Sequence, residues 1–368
     1  MPSISLLNIQ HFRNLGSISI EPSKKVNIIL GQNGAGKSSI LESISMLAHG
    51  RSFRTHKYRS LIQDDQSEFV VHGKVDNDDG AAHQLGLLRR RKGDFTIKLD
   101  GKSVASASSL AKHIPLLVIN SGSFSLLEGS AKDRRKFFDW LVFHVKHQFS
   151  GSWNQVIRCY KQRNSLLRRD KIRYSDLEPW DIEIAKLSQD IANDRESSFK
   201  LLSDQFNAIL APLLDRLPGE IYLELKQGWK LGEGAFSAQL KNAFDRDKSY
   251  GYSTLGPHKS DFIVKTNAGN AVDILSRGQQ KLLIAALYIA QATVLKEVKR
   301  QTPIFAVDDL PSELDQANQK LMGDWLNELG SQVFITGIEA SCRNSIWPDY
   351  ETYAEPLKMF HVKHGELV

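Results

Sequence analysis

Eight residues, Gly31-Gln32-Asn33-Gly34-Ala35-Gly36-Lys37-Ser38, restrict what this chain can fold into more than any other feature. They fit the pattern G-x-x-x-x-G-K-[ST] at every fixed position, and that pattern works only between a buried strand and a helix. Both flanks are present. Val26-Asn27-Ile28-Ile29-Leu30 reads as a buried strand, and Lys37 to Leu47 reads as a helix. Glycines lack a Cβ, so successive backbone N–H groups can curl around phosphate oxygens, and the helix start adds partial positive charge. Lys37 is then placed to neutralise the outer phosphates of a nucleotide, and the Ser38 hydroxyl to hold Mg²⁺. A chance glycine turn would not bring both flanks with it.

A loop of this kind needs a metal-side carboxylate at the end of another buried strand. Pro303-Ile304-Phe305-Ala306-Val307-Asp308-Asp309 supplies one. Asp308 would accept from a Mg²⁺-bound water, and Asp309 would polarise the attacking water as general base. Taken alone, two acids after a strand more often make a turn or a helix cap; the upstream loop tips the balance. Leu275-Ser276-Arg277-Gly278-Gln279-Gln280-Lys281 opens an apolar helix. Ser276 could simply cap that helix. The alternative is an ABC-type signature, in which Ser276 and Gly278 offer a hydroxyl and backbone N–H groups to a γ-phosphate held by a second molecule. Ser312-Glu313-Leu314-Asp315 has the form of the loop that follows the acidic pair in such ATPases.

The rest of the chain falls into blocks. Strand-like segments lie at 3–10, 16–21, 68–76, 84–91, 94–99 and 116–119. From about 126 to 214 the pattern turns helical, and Phe137, Phe138, Leu141, Val142 and Val145 make one apolar stripe. Strand composition returns at 220–226 and 261–266, then a helix from about 277, then strands at 303–307 and 331–336. The last 30 residues carry no clear signal. The longest unbroken apolar run, Leu282 to Ala290, has nine residues, against roughly 20 for a membrane helix. The N-terminus lacks the pattern of a secretion signal. Cys159 and Cys342 stand far apart and read as reduced thiols of a cytosolic protein, a single disulfide being the alternative.

Charge points to an anionic partner. Lys and Arg number 48 against 42 Asp and Glu, and the excess is clustered. Arg51, Arg54, Lys57 and Arg59 stand without an acid, Arg89-Arg90-Arg91-Lys92 is a block, and Arg158 to Arg173 holds seven basic residues and one acid, Asp170. Any one cluster is more often a solvated face. Three on one chain make nucleic acid a serious candidate.

These motifs, in this order, resemble the RecF family of bacterial recombination mediators, relatives of the SMC and Rad50 ATPase heads. The likeness extends to His11-Phe12-Arg13-Asn14, Leu127-Glu128-Gly129-Ser130-Ala131-Lys132-Asp133-Arg134-Arg135, Tyr160-Lys161-Gln162-Arg163-Asn164 and Gly256-Pro257-His258-Lys259-Ser260-Asp261. It implies an α/β fold: an ABC-type P-loop ATPase head with a mixed-sheet lobe (1–120 and 277–368), a mainly helical second lobe (121–276), and no long coiled coil. It implies ATP and Mg²⁺ as cofactors, with ATP held by Gly31, Gln32, Asn33, Gly34, Ala35, Gly36, Lys37, Ser38 and Ser39 together with Arg13, Gly278 and Gln279. Lys37, Ser276 and Asp309 would be catalytic, and Ser38 and Asp308 would hold the metal. It also implies slow, DNA-stimulated ATP hydrolysis, ATP-dependent dimerisation, and binding of single-stranded and duplex DNA without sequence preference. RecO and RecR would be partners in placing RecA on gapped DNA during fork repair and the SOS response, at the nucleoid and not at a membrane.

This chain departs from the pattern in places. Lys259-Ser260-Asp261 stands where the family more often has Arg-Asp-Asp, and Val118-Ile119-Asn120-Ser121 has no glutamine where Rad50-like heads carry one. The residue doing that work is Asn120 or Ser121. Phe334-Ile335-Thr336 is followed by glycine instead of a switch histidine, leaving Thr336 as candidate sensor. Other ABC-type ATPases are the rival class. A transporter subunit would carry that glutamine and histidine, and an SMC-like tether needs long heptad runs.

Overall fold

The chain divides into two units, Met1–Ser123 with Leu295–Val368 and Phe124–Val294. The computed structural model describes residues 2–77, 80–309, 314–338, 346–347 and 357–368. The first unit opens with β1 (Ser3–Phe12), β2 (Leu15–Ile20), β3 (Val26–Leu30), α1 (Lys37–His49), β4 (Glu68–Asp76), β5 (Ala82–Arg90), β6 (Phe95–Leu99), β7 (Lys102–Ser103), α2 (Ser108–Ala111) and β8 (Leu116–Ile119). The second unit contains α3 (Ala131–Val145), α4 (Phe149–Leu167), α5 (Glu178–Leu210), β9 (Ile221–Lys226), α6 (Phe236–Asn242), α7 (Phe244–Tyr250), β10 (Asp261–Thr266), β11 (Gly269–Asn270), α8 (Ala271–Ile274) and most of α9 (Arg277–Lys299). The chain then returns to the first unit through β12 (Ile304–Val307), α10 (Gln316–Leu329), β13 (Val333–Gly337), β14 (Lys358–Lys363) and β15 (Glu366–Leu367).

Among the described residues, two six-stranded sheets build the first unit. One is antiparallel, in the order β2-β1-β4-β5-β6-β7; the other runs β15-β14-β3-β13-β12-β8. In the second, β14, β3, β13, β12 and β8 are mutually parallel. Their registers pair Leu30 with Gly337, Val307 with Ile335, and Val307 with Ile119. The carboxyl ends of four strands therefore share one edge, the place where open α/β sheets bind ligands. Residues of both sheets and of α1, among them Ile9, Val71, Ile40, Leu41, Ile44, Ile304 and Phe334, join in one core. Eleven residues of α1 are buried, including Ser39, Ser43, Ser45 and Glu42. Small side chains let strands approach it from both sides.

The unreadable C-terminal stretch contains β14, which pairs with β3 beside the phosphate loop. It escapes pattern reading because Val362 alone of its six residues is buried. Backbone pairing holds it.

In the second unit the apolar stripe of α3 is the buried face expected of it, and Phe137 and Phe138 meet Phe262 and Phe199 edge-on or tilted. The basic run from Arg158 to Arg173 needs correction. Arg163 is wholly buried: its Nε donates to Asp181 at 2.6 Å and its Nη1 to Asp247 at 2.7 Å, both carboxylates being buried too. Asn164 accepts from the Ser253 backbone N–H at 2.8 Å, and Asp247 from the Thr254 hydroxyl at 2.6 Å. Tyr160 donates to the Leu255 carbonyl at 3.1 Å. A Cβ on Gly256 would lie 1.8 Å from the Tyr160 hydroxyl. The Tyr160–Asn164 and Gly256–Asp261 segments are thus a framework that locks α4 to the strand-bound loop. The 89–92 block is also engaged locally. Arg89 lies between the rings of Tyr58 and Phe95, Arg90 pairs with Glu68 at 2.8 Å, and Arg91 donates to the Gln66 carbonyl at 2.6 Å.

Removing one member of a buried ion network strands the other charges, at a typical cost of about 3–5 kcal/mol. Arg163→Met should accordingly lower the stability of the second unit by about 3–5 kcal/mol in urea unfolding. A wild-type midpoint for this variant would show that Asp181 and Asp247 do not depend on Arg163.

Candidate nucleotide-binding site

The glycine loop leaves β3 at Gly31 and enters α1 at Lys37. Gly36, the residue before the helix, has φ +120°, and a Cβ there would meet the Leu15 side chain at 2.7 Å. Gly31 is held by closeness instead: its Cβ would sit 2.4 Å from the Val362 carbonyl of β14. The loop is also braced from the antiparallel sheet. Asn14 Nδ2 donates to the Gly34 carbonyl at 3.1 Å, and the Ser39 hydroxyl donates to Asn14 Oδ1 at 3.0 Å. Lys37 Nζ donates to the carbonyls of Gly31 at 2.6 Å and Gln32 at 3.0 Å. Burial draws the Lys37 ammonium below its usual pKa, and Asp309 and Asp308 pull it back up.

One helix and two strands converge on one carboxylate. Asp308 Oδ1 accepts from the Ser38 hydroxyl at 2.8 Å and from the Thr336 hydroxyl at 2.8 Å. Thr336 Oγ1 in turn accepts from the Asp309 backbone N–H at 2.8 Å. Asp309 has φ +58°, a left-handed conformation that a non-glycine residue adopts at some cost. The threonine bond fixes that turn and aims the residue after β12. Ser38 and Asp308 form the oxygen pair a hard cation takes from protein, the remaining ligands being water and phosphate. Among the described residues no group of three or more His, Cys, Asp or Glu could hold a metal without such help.

A cleft of about 800 Å³ opens over these groups, lined by Arg13, Asn14, Asn33, Gly34, Gly36, Lys37, Ser38, Ser39, Arg54, Ser121, Asp308, Asp309 and Thr336 with Ser60, Ile62, Gln63 and Asp64. Arg13 reaches it with its guanidinium on Glu42, at 2.8 and 3.0 Å, and on the Ser60 carbonyl at 3.2 Å. Glu42 is fully buried and also accepts from the Ser52 hydroxyl. Of the pair Asn120 and Ser121, Ser121 lines the cleft. Pattern reading did not single out Asn14 or Arg54 as site residues. Asn14 acts through a tertiary bond to Gly34, and Arg54 belongs to a basic cluster whose composition suggests nucleic acid.

Ser276, Gly278 and Gln279 belong to the second unit and are not among the residues lining this cleft. Ser276 N–H donates to Gln279 Oε1 at 3.0 Å, and Gln279 N–H to the Ser276 hydroxyl at 3.4 Å, a reciprocal cap at the start of α9. Ser276, Arg277 and Gly278 are exposed. The capping role is therefore real, and it leaves the helix start facing solvent. Ser312 and Glu313 lie outside the described residues, as does Cys342, whereas Asp315 caps α10 by accepting from Asn318 N–H at 2.8 Å.

The chain matches the RecF/RecN/SMC N terminal domain family over residues 3–358. It is 49% identical to the DNA replication and repair protein RecF of Saccharophagus degradans, covering 100% of this chain and 99% of that protein. The RecF of Teredinibacter turnerae is 46% identical over 100% of this chain and 96% of its own. Among solved structures, a recombination mediator RecF of the RecFOR pathway with ATP superposes with a TM-score of 0.86 at 24% identity, over 100% of this chain and 99% of that one. An Smc head domain from Pyrococcus furiosus superposes at 0.58 and 17% identity, over 100% and 96%. The two carry the fold: an ABC-type ATPase head. Among the described residues no helix is long and apolar enough to cross a membrane.

Thr336→Val removes the hydroxyl shared by Asp308 and Asp309 while keeping the strand's shape. It should cost about 1–3 kcal/mol, the usual penalty for unpairing buried polar groups, and Thr336→Ser should restore most of it. Denaturant titration of the two variants reads the difference; equal stabilities would mean that the hydroxyl holds nothing.

Proposed function

This chain belongs to the RecF family of DNA replication and repair proteins, and on that premise we propose that it is an ATP-driven, DNA-binding recombination mediator. The observation that carries the reading is the linked set Ser38–Asp308–Thr336–Asp309 at the carboxyl edge of the parallel sheet, directly beside the glycine loop. ATP would lie along the loop, its phosphates on the N–H groups of residues 31–38 and on Lys37, which exchanges its carbonyl partners for phosphate oxygens. Ser38 and Asp308 would hold Mg²⁺, which would supply charge neutralisation. Asp309 would accept a proton from the attacking water, and Thr336 would keep that carboxylate in place. Arg13, Ser39 and Ser121 would border the nucleotide.

Hydrolysis then depends on a second copy. Ser276, Gly278 and Gln279 stand at an exposed helix start in the unit that does not hold the phosphate loop. An isologous dimer would place Ser276 of each copy on the γ-phosphate of the other, with two nucleotides at the interface. The first unit would be the ATPase lobe and the second the signature-bearing lobe. DNA, single-stranded or duplex, would be bound through its backbone and would stimulate slow turnover. It would work with RecO and RecR in loading RecA on gapped DNA, in fork repair and the SOS response at the nucleoid; the relatives' names, which give DNA replication and repair, and the RecFOR pathway of the RecF structure that this chain resembles support that direction. An SMC-like tether finds less support: the longest helix among the described residues, α5, has 33 residues.

Lys37→Met should abolish ATP binding, because the phosphates would face backbone dipoles alone. Asp309→Asn should bind ATP normally and hydrolyse it about 10²–10⁴-fold more slowly, the range typical for a lost general base. Equilibrium nucleotide binding and phosphate release separate the two effects, and normal turnover by Asp309→Asn would place the base elsewhere.

Ser276→Arg puts a bulky cation at the signature. ATP affinity of the monomer should stay at the wild-type level while dimerisation and hydrolysis fail together. Sedimentation with ATP is the measurement, and a dimer forming at the wild-type concentration would refute the two-copy site.

A further inference from the structure

Two large aromatic side chains of the second unit face solvent side by side. Tyr250 is 59% exposed and Tyr252 44%, and their rings stack with centroids 5.6 Å apart and planes 21° apart. The turn between them is built to hold this arrangement. Gly251 ends α7 with φ +70°, and its carbonyl accepts from Arg168 Nε, beyond the end of α4, at 3.2 Å. Tyr252 N–H donates to the Asp247 carbonyl at 3.2 Å, and Asp247 itself is anchored on buried Arg163. Lys259 Nζ lies 5.4 Å from the centre of the Tyr252 ring. Arg168, Lys248 and Lys259 are exposed. Residues 241–259 contain two acids, Asp245 and Asp247. The second is buried, so the exposed charge around the ring pair is positive, with Asp245 as its one local opponent in that stretch.

We infer that Tyr250 and Tyr252 form a stacking platform for unpaired bases of single-stranded nucleic acid, with Arg168 and Lys259 on the adjoining backbone phosphates. The inference rests on the DNA-binding part of the proposed function and gives it a place for single-strand contact. Two exposed, near-parallel rings can be extended by one more flat ring, and every base has one to offer, so the contact tolerates any sequence. In a duplex those faces are hidden between neighbouring pairs. An acidic peptide would use the cations but would gain little from two stacked faces. The basic run from Arg158 to Arg173 thus contributes through Arg168, just beyond α4, while Arg163 anchors Asp247 at the same turn.

Anisotropy titrations of the full chain with a labelled oligothymidylate and with a blunt hairpin duplex test this. Tyr250→Ala/Tyr252→Ala should weaken single-strand binding about ten-fold or more, from about 1–3 kcal/mol per stacked base. Duplex affinity, ATP affinity and the slope of log affinity against log salt should stay unchanged. Tyr250→Trp/Tyr252→Trp should keep wild-type single-strand affinity, and Lys259→Gln should flatten the single-strand salt slope by about 0.7. Photocrosslinking to a 5-iodouracil oligonucleotide should mark Tyr250 or Tyr252. Unchanged single-strand affinity in the double alanine variant, or adducts confined to other residues, overturns the platform. A wild-type chain that binds neither DNA form overturns the DNA-binding reading instead.

Discussion

A helix packed between two sheets has no face to give to water, and α1 carries that constraint for the whole first unit. Its start must present N–H groups to a ligand, yet its body must be small or apolar on all sides. Glu42 is the exception, a carboxylate at zero exposure, and a lone buried charge is expensive. Arg13 resolves this by pairing with it through two donors. Meeting Glu42 requires the chain to bend sharply at the end of β1, where both His11 and Arg13 have positive φ. The same turn delivers Asn14 to the Gly34 carbonyl and to Ser39. The antiparallel sheet is therefore more than a cover over the parallel one. It supplies the brace that holds the glycine loop open.

Residues whose role is set by chain-local geometry were legible in the sequence. The glycine loop, the strand ending in Asp308-Asp309, and the helix opening at Ser276 are each defined by spacing along one segment, and each stands where that spacing put it. What eluded reading depends on partners remote in sequence. Nothing around Arg163 announces Asp181 and Asp247, so a buried triad looked like part of a basic surface. Arg89 to Arg91 read as a free block because cross-strand Glu68 and the rings of Tyr58 and Phe95 lie on other segments. β14 has too little buried side chain to show a period.

The segments that carry the resemblance to the RecF family divide by purpose. Arg13-Asn14 serves the loop. Tyr160 to Asn164 and Gly256 to Asp261 serve each other, through Tyr160 against Gly256, Asn164 on Ser253, and the carboxylate of Asp247 on Arg163 and Thr254. Arg134 joins Asp261 with two bonds of 2.8 and 2.9 Å, so the third such segment enters the same framework. In this chain these segments serve the architecture of the second unit. It keeps the strand-bound loop and the ends of α4 and α7 in register.

The hairpin of β14 and β15 gives the site a schedule. Gly31 rests against the Val362 carbonyl, and Gly365 donates its N–H to the Ala35 carbonyl at 2.9 Å while pressing closely on Asn14. Residues 31–38 emerge early from the ribosome, whereas the strand that backs them is synthesised after the entire second unit. Contacts so distant in sequence form late. A nascent chain can build the second unit's helical core while its phosphate loop still lacks a wall. The wall that β14 gives the phosphate loop can therefore be in place only after the second unit has been synthesised.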